Sequence, residues 1–434
     1  MHIFAKRFTA VSIKSVIQIP NRLKMNKLVI LGAGTGGTLM ANKLRKKLSR
    51  SEWEITIVDK EPEHYYQPGF LFIPFGIYQS RQVVKPKRRF LPKGVSYIEA
   101  AIEKVMPESN EVFLADGTNL NYDYLIIATG TDIVPSETPG LDGNQWHKSI
   151  FDFYTIKGAE SLSRAIDGFN GGNFVVSLVE LPFKCPVAPL EFAFLADSYF
   201  KKKGIRDKVN ISYVTPLSGA FTKPKATRML GDLMKQKNIT LIPDFNIEQV
   251  DNDSKKLVSY DGREVPFDLL TVVPVNMGAE YVGRSGMGDD LNFVPTNKHT
   301  LQSEKWDNVF VLGDAANIPT SKAGSVVHFA AEILYENFLL AIKGKPLLAK
   351  FDGHANCFII TGIGEGTLID FNYDVEPLPG TFPLPVIGPM KLLKVNRLNY
   401  WGKMAFKWAY WNLLIKGRHM PISTHMSMAG KKAG

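Results

Sequence analysis

The stretch Leu28-Val-Ile-Leu-Gly-Ala-Gly-Thr-Gly-Gly37 decides the fold. Its aliphatic start reads as a strand over Lys27–Leu31, and the amphipathic run behind it predicts a helix over roughly 36–48. Glycines at 32, 34 and 37 stand where strand turns into helix. Gly32 allows the tight turn, Gly34 lets backbone approach a pyrophosphate, and Gly37 lets helix and strand pack closely, while the helix N-terminus presents amide donors and a partial positive charge. Thr35 belongs to the same cradle. A second strand, Glu54–Val58, leads into Asp59, 22 residues beyond Gly37, where a carboxylate accepts hydrogen bonds from an adenine ribose, with Lys60 beside it. The whole unit predicts dinucleotide binding.

Outward from this unit, apolar runs at Tyr124–Ala128, Phe174–Val179, Ile211–Val214, Leu269–Val273 and Val309–Leu312 alternate with amphipathic stretches, which predicts a mainly parallel α/β chain. A length of 434 residues leaves room for two or three domains. No apolar run reaches the roughly 18–20 residues that cross a bilayer as a helix. The formal charge of +10 is concentrated at the ends: residues 388–434 hold nine basic residues and 1–25 hold five, with no acid in either, so the body between carries −4. That distribution points to a local anionic contact and away from nucleic acid. Only Cys185 and Cys357 occur, without CxxC or Cys/His clustering, so no metal site is expected. On their own they read as two buried thiols or as one disulfide.

Two further segments, Tyr122-Asp-Tyr-Leu-Ile-Ile-Ala-Thr-Gly130 and Asn308-Val-Phe-Val-Leu-Gly-Asp314, resemble signatures that flavoproteins with two dinucleotide-binding domains carry far from their glycine turn. The resemblance spans residues 28–314 and implies FAD as cofactor. It places Ala128, Thr129 and Gly130 against the cofactor and Asp314, after Gly313, on the ribityl chain. The fold class it implies is α/β with two Rossmann-like domains. An FAD-binding domain takes 26–145 and 290–345, and a second domain takes 146–289. A C-terminal region, 346–434, carries an amphipathic helical membrane-binding element, and 1–25 is a basic extension. A helix from Ser325 to about Ile342 aims its positive end at the isoalloxazine. Lys322 either does the same or is a solvated loop lysine.

In pyridine-nucleotide-linked relatives a second glycine turn follows the first strand of the inner domain. Here that region is Phe174-Val-Val-Ser-Leu-Val-Glu-Leu-Pro-Phe-Lys-Cys-Pro186, without a glycine, and Pro182 and Pro186 donate no backbone hydrogen bond. NAD(P)H is therefore a poor electron donor for this chain. At Lys184-Cys-Pro-Val-Ala-Pro-Leu-Glu191, His354-Ala-Asn-Cys-Phe358 and His64-Tyr-Tyr-Gln-Pro-Gly69 the chain resembles the sulfide:quinone oxidoreductases, most closely the subgroup called type three. The match covers nearly all of 26–434 but lacks a third cysteine that some members use. It implies that Cys185 and Cys357 straddle the flavin, joined by a disulfide or a sulfur bridge, with Cys357 on the flavin side and Cys185 carrying sulfane sulfur. Glu191 either handles a proton or is a carboxylate stabilised at a helix N-terminus. The implied substrates are hydrogen sulfide and a membrane quinone, ubiquinone or menaquinone. His328 and His354 read as structural histidines with satisfied partners.

At helical spacing, Trp401, Met404, Ala405, Trp408, Trp411 and Ile415 share one face of the tail, with Lys403, Lys407 and Tyr410 opposite. The pattern predicts an interfacial helix on an anionic lipid surface, or alternatively a helix that packs in the core or forms a homo-oligomer. The expected place is a respiratory membrane, bacterial cytoplasmic or, if 1–25 is a transit peptide and not an unused upstream start or tail, mitochondrial inner. Rival readings are a type-two NADH:quinone reductase, the flavoprotein subunit of a flavocytochrome c sulfide dehydrogenase, and a flavin-bound sensor or scaffold without turnover.

Overall fold

The computed structural model describes residues 25–384, 388–420 and 422–432. The predicted N-terminal extension lies outside the described residues except for Met25.

Five parallel strands form the first sheet, in the order Val309–Val311, Tyr124–Ile127, Asn26–Leu31, Trp53–Asp59 and Ser96–Glu99. The central strand Asn26–Leu31 is buried over its last four residues and runs into the helix Thr35–Lys47 through the glycine turn. Gly32 takes φ +93° in that turn, which disfavours any residue with a Cβ. Gly37 is fixed by contact instead: a Cβ there would lie 1.8 Å from the Gly32 carbonyl oxygen.

A second parallel sheet of five strands is ordered Ile150–Phe151, Leu269–Val273, Gly172–Leu178, Val209–Val214 and Ile239–Ile242. Leu269–Val273 is buried at every residue, as expected of a strand covered on both faces. After Gly172–Leu178 the chain follows the glycine-free loop and enters the helix Ala188–Lys203. Pro189 in its first turn, Glu191 beside the N-terminus, three lysines in the last turn and a left-handed Gly204 (φ +75°) mark out this helix.

The last ninety residues add an antiparallel hairpin, Ala355–Gly362 with Glu365–Phe371, which the sequence reading does not anticipate. Cys357 pairs with Ile369 in it, and Gly364 at φ +87° closes the turn. The helix Arg397–Ala409 lies across the hairpin, capped by the Asn396 side chain, and runs on as one π turn, Tyr410–Leu414. Gly402 lets it settle there, since a Cβ would stand 2.7 Å from the Phe358 ring.

Gly37→Ala should destabilise the chain by about 1–3 kcal/mol, the usual cost of forcing a group into packed space. A urea midpoint equal to that of the unaltered protein would show the strand–helix contact to be looser than described.

Candidate active site

The glycine turn, Ala128, Thr129 and the end of the Trp53–Asp59 strand enclose a cleft of about 1080 Å³. Gly32, Gly34, Thr35, Asp59, Lys60, Ala128 and Thr129 all line it. Gly34 and Gly130 each have open space where a Cβ would stand, so bare backbone faces the cavity. Gly37 is not part of this wall and serves the packing beneath it. Asp59 Oδ2 accepts from the Ala33 amide at 2.6 Å; its Oδ1 accepts from the Glu61 amide at 2.9 Å and pairs with Lys87 Nζ at 2.6 Å. Three of about four acceptor sites are thus in use, which fixes the carboxylate while leaving capacity toward the cleft. Lys87 is buried at this point, and nothing in the Lys85–Arg89 run of the sequence marked it. Lys60 is exposed and lies 3.9 Å from Asp132.

The cleft continues into a cavity of about 180 Å³ whose wall includes Gly130, Gly313, Asp314, Lys322, Cys185 and Glu191. The helix Gly324–Ala341 begins at this wall, with Ala323, Gly324 and Val327 on it. Lys322 is buried and not a solvated loop residue. It donates to the carbonyls of Asp314 at 2.7 Å and Ala316 at 3.0 Å and sits 3.9 Å above the Phe293 ring. Burial lowers its pKa to about 8 against the pull of Asp314. The Asp314 carboxyl is pushed up by burial, with Lys322 and Lys184 opposing.

Cys185 stands immediately before the Ala188–Lys203 helix with φ +54°, a conformation few non-glycine residues adopt. Hydrogen bonds hold it on both sides: its amide donates to the Lys322 carbonyl at 2.6 Å, and its carbonyl accepts from the Ala188 amide at 2.9 Å. Cys185 lines the cavity, whereas Cys357 is buried in its strand. Both are free thiols here. Burial pushes Cys185 up to about 11 and Cys357 up to about 12, while Lys403 pulls both down.

Lys403 is the principal residue that the sequence reading misassigned. Read as facing a membrane surface, it is buried instead, with Nζ 2.9 Å and 3.0 Å from the two Glu191 oxygens and 3.1 Å from the Phe358 carbonyl. Glu191 Oε1 also accepts from the Ile360 amide at 2.7 Å. Burial pushes the Glu191 carboxyl up against the pull of Lys403 and of that amide. Lys403 itself is raised: burial would lower it, but Glu191 and then Cys185 outweigh burial.

The rest of the tail helix is split in the same way. Leu398, Trp401 and Trp408 are 55%, 64% and 63% exposed, while Trp411 and Ile415, placed on their face by helical spacing, are buried. The π turn breaks that spacing just before Trp411. Tyr410 is turned inward, its hydroxyl 2.8 Å from Thr35 Oγ1 and 2.7 Å from His64 Nε2. His354 has the structural partners expected of it, Asp370 at 2.8 Å and a stacked Phe329 ring at 4.0 Å. His328 Nδ1 is buried without a hydrogen-bond partner among the described residues. No helix among the described residues is long and apolar enough to cross a membrane, and no metal-binding cluster is found among them.

Comparison with known proteins agrees with this architecture. Residues 26–167 match the family model described as pyridine nucleotide-disulphide oxidoreductase. The chain is 31% identical over 402 residues to the mitochondrial sulfide:quinone oxidoreductase of Dictyostelium discoideum, covering 91% of this chain and 87% of that one. It is 28% identical to the mitochondrial enzyme of the same name from Mus musculus, covering 90% and 86%. The crystal structure of the sulfide:quinone oxidoreductase from Aquifex aeolicus superposes with a TM-score of 0.76 over 91% of this chain and 92% of that one, at 22% identity, and so shares its fold.

Replacing Lys403 by Met leaves Glu191 buried without its counter-charge, and we expect a loss of about 3–5 kcal/mol in urea unfolding, largely recovered in Lys403→Met/Glu191→Gln. With the ammonium gone, alkylation of the two thiols should set in at higher pH than in the unaltered protein. A singly substituted protein as stable as the parent would show that the pair is solvated.

Proposed function

The chain belongs to the sulfide:quinone oxidoreductase family, and on that premise we propose that it oxidises hydrogen sulfide with the Cys185/Cys357 pair and passes two electrons through FAD to a quinone. The observation that carries this reading is that Cys185, Glu191 and its partner Lys403 share the wall of a cavity beside the glycine-turn cleft, with the Lys403 charge acting on both Cys185 and the buried Cys357. We assign FAD to that cleft. Bare backbone at Gly34 and Gly130 suits a pyrophosphate, Asp59 suits a ribose, and Asp314 suits the ribityl chain. Bound there, FAD supplies the two-electron carrier between sulfur and quinone.

The chain's own residues do the sulfur chemistry. Hydrosulfide, a soft nucleophile that attacks sulfur–sulfur bonds, is the attacking species. With the pair joined as a disulfide, hydrosulfide forms a bond to the Cys185 sulfur, the Cys185–Cys357 sulfur–sulfur bond breaks, and Cys357 leaves as a thiolate. Cys185 then carries a persulfide that keeps the hydrosulfide proton. Lys403 offsets the negative charge released on Cys357, and Glu191 holds Lys403 in place. The glycine-free loop, with Phe183 and Lys184 buried in it, crowds the position of a second nucleotide and disfavours the NADH:quinone reductase reading.

We further propose that the exposed Leu398, Trp401 and Trp408 rest in the interface of an anionic respiratory membrane, with the basic tail on its headgroups, so that quinone arrives from the lipid. On this reading 26–145 with 290–345 carries FAD, 146–289 forms the inner domain, and 346–434 joins sulfur site to membrane.

Purified protein should reduce decylubiquinone with sulfide and not with NADH. Cys185→Ala and Cys357→Ala should each abolish sulfide-driven turnover while keeping the flavin absorbance; a normal rate in either would refute the pair. In flotation with phosphatidylglycerol vesicles, Trp401→Ser/Trp408→Ser should bind at least about tenfold more weakly, because withdrawing one large apolar side chain costs about 1.5–3 kcal/mol. Undiminished flotation would place the membrane contact elsewhere.

A further inference from the structure

Lys184 precedes the sulfur site and has no role in the chemistry described above. It is buried, 8% exposed, yet it lines both the small cavity and the large cleft and so stands where the two join. An ammonium has three donors. Among the described residues its Nζ makes one hydrogen bond, to the Thr131 carbonyl at 3.0 Å, and pairs with no carboxylate. Its backbone is fixed: the amide donates to Asn276 Oδ1 at 3.2 Å, and the residue bridges to Lys322 across the cavity wall. Asp314, Asp132 and Asp152 act on it only through the field, and burial still lowers its pKa.

Lys322, the other cation on this wall, is in a different position. Two carbonyls and the Phe293 ring already engage it. Lys184 alone of the two holds donors in reserve, and a buried charge with unmet donors is costly unless a ligand answers it. On the flavoenzyme reading above, the cofactor is the ligand that would span both cavities.

We propose that Lys184 is the fixed positive charge that the bound flavin meets at the junction of the two cavities, and that it favours the reduced, more negative ring. This rests on the flavoenzyme reading above. Lys184 takes no part in proton transfer in this scheme; reduction adds two electrons and one proton to the ring and leaves one net negative charge, which the neighbouring cation stabilises. Lys184 therefore decides how readily electrons leave sulfur for the ring, and Lys322 shapes the wall.

The test uses the full-length holoprotein and dithionite titration against reference dyes, without sulfide or quinone, so its outcome does not depend on the natural electron donor. Lys184→Met should retain flavin but lose at least tenfold in the equilibrium favouring the reduced form, about 30 mV downward for a two-electron couple. The N3–H of its oxidised flavin should ionise at higher pH than in the parent, read from the visible spectrum, and Lys184→Arg should restore both properties. A parental potential and N3–H ionisation in Lys184→Met would overturn the proposal. So would loss of flavin from both Lys184→Met and Lys184→Gln with retention in Lys184→Arg, because the charge would then serve the cofactor's phosphates and not its ring.

Discussion

The buried ion pair between Glu191 and Lys403 is the constraint on which the site depends. One carboxylate joins three elements far apart in the chain: the helix that follows Cys185, the Ala355–Gly362 strand that carries Cys357, and the tail helix that supplies Lys403. An ion pair at this depth adds little net stability, since desolvation offsets most of its attraction, but breaking it strands a charge. Its effect is to exclude alternatives. Any arrangement that separates the tail helix from the sulfur site leaves Glu191 or Lys403 unpaired in an apolar interior.

The two five-stranded parallel sheets differ in their edge strand, which comes last in the chain in the first and first in the second, and in the loop that follows the central strand. In the first, glycines keep side chains out of the turn, and the cleft opens above bare backbone. In the second, the loop after Gly172–Leu178 is filled with side chains: Phe183 and Lys184 are buried, and Cys185 is held in a left-handed conformation between Lys322 and Ala188. The space that a nucleotide would need against that loop is taken by the groups that surround the sulfur. Similar parallel sheets thus carry an open cleft above one loop and a buried-loop thiol beside the other, as fold alone does not dictate function.

The tail helix links the site to its surroundings. Within three turns it turns Leu398, Trp401 and Trp408 outward and Tyr400, Lys403 and Tyr410 inward. Tyr410 reaches Thr35 in the glycine turn, and Asn42 of the first helix donates to the Ile415 carbonyl at 3.0 Å. One short element therefore touches the glycine turn and the Cys185 cavity while leaving Leu398, Trp401 and Trp408 exposed.

Local sequence determined a large part of this protein. The glycine turn, Asp59 and the parallel strands were legible because backbone conformation and hydrophobic period are properties of neighbouring residues; the strands Asn26–Leu31, Val209–Val214 and Leu269–Val273 lie where the apolar runs put them. Cys185, Glu191, Cys357 and Asp314 stood out through segments resembling known families and Lys322 through its place before a predicted helix, and all but Cys357 line one cavity. The hairpin around Cys357 escaped notice although Gly362 and Gly364 marked its turn, because its strands are buried on both sides and lack a clear alternation. Lys403, Lys87 and Lys184 stayed hidden for a different reason. A lysine on an amphipathic helix or in a loop looks solvated until the chain closes, and only tertiary structure brought Lys403 and Lys87 to their carboxylates and Lys184 to the wall shared by the two cavities.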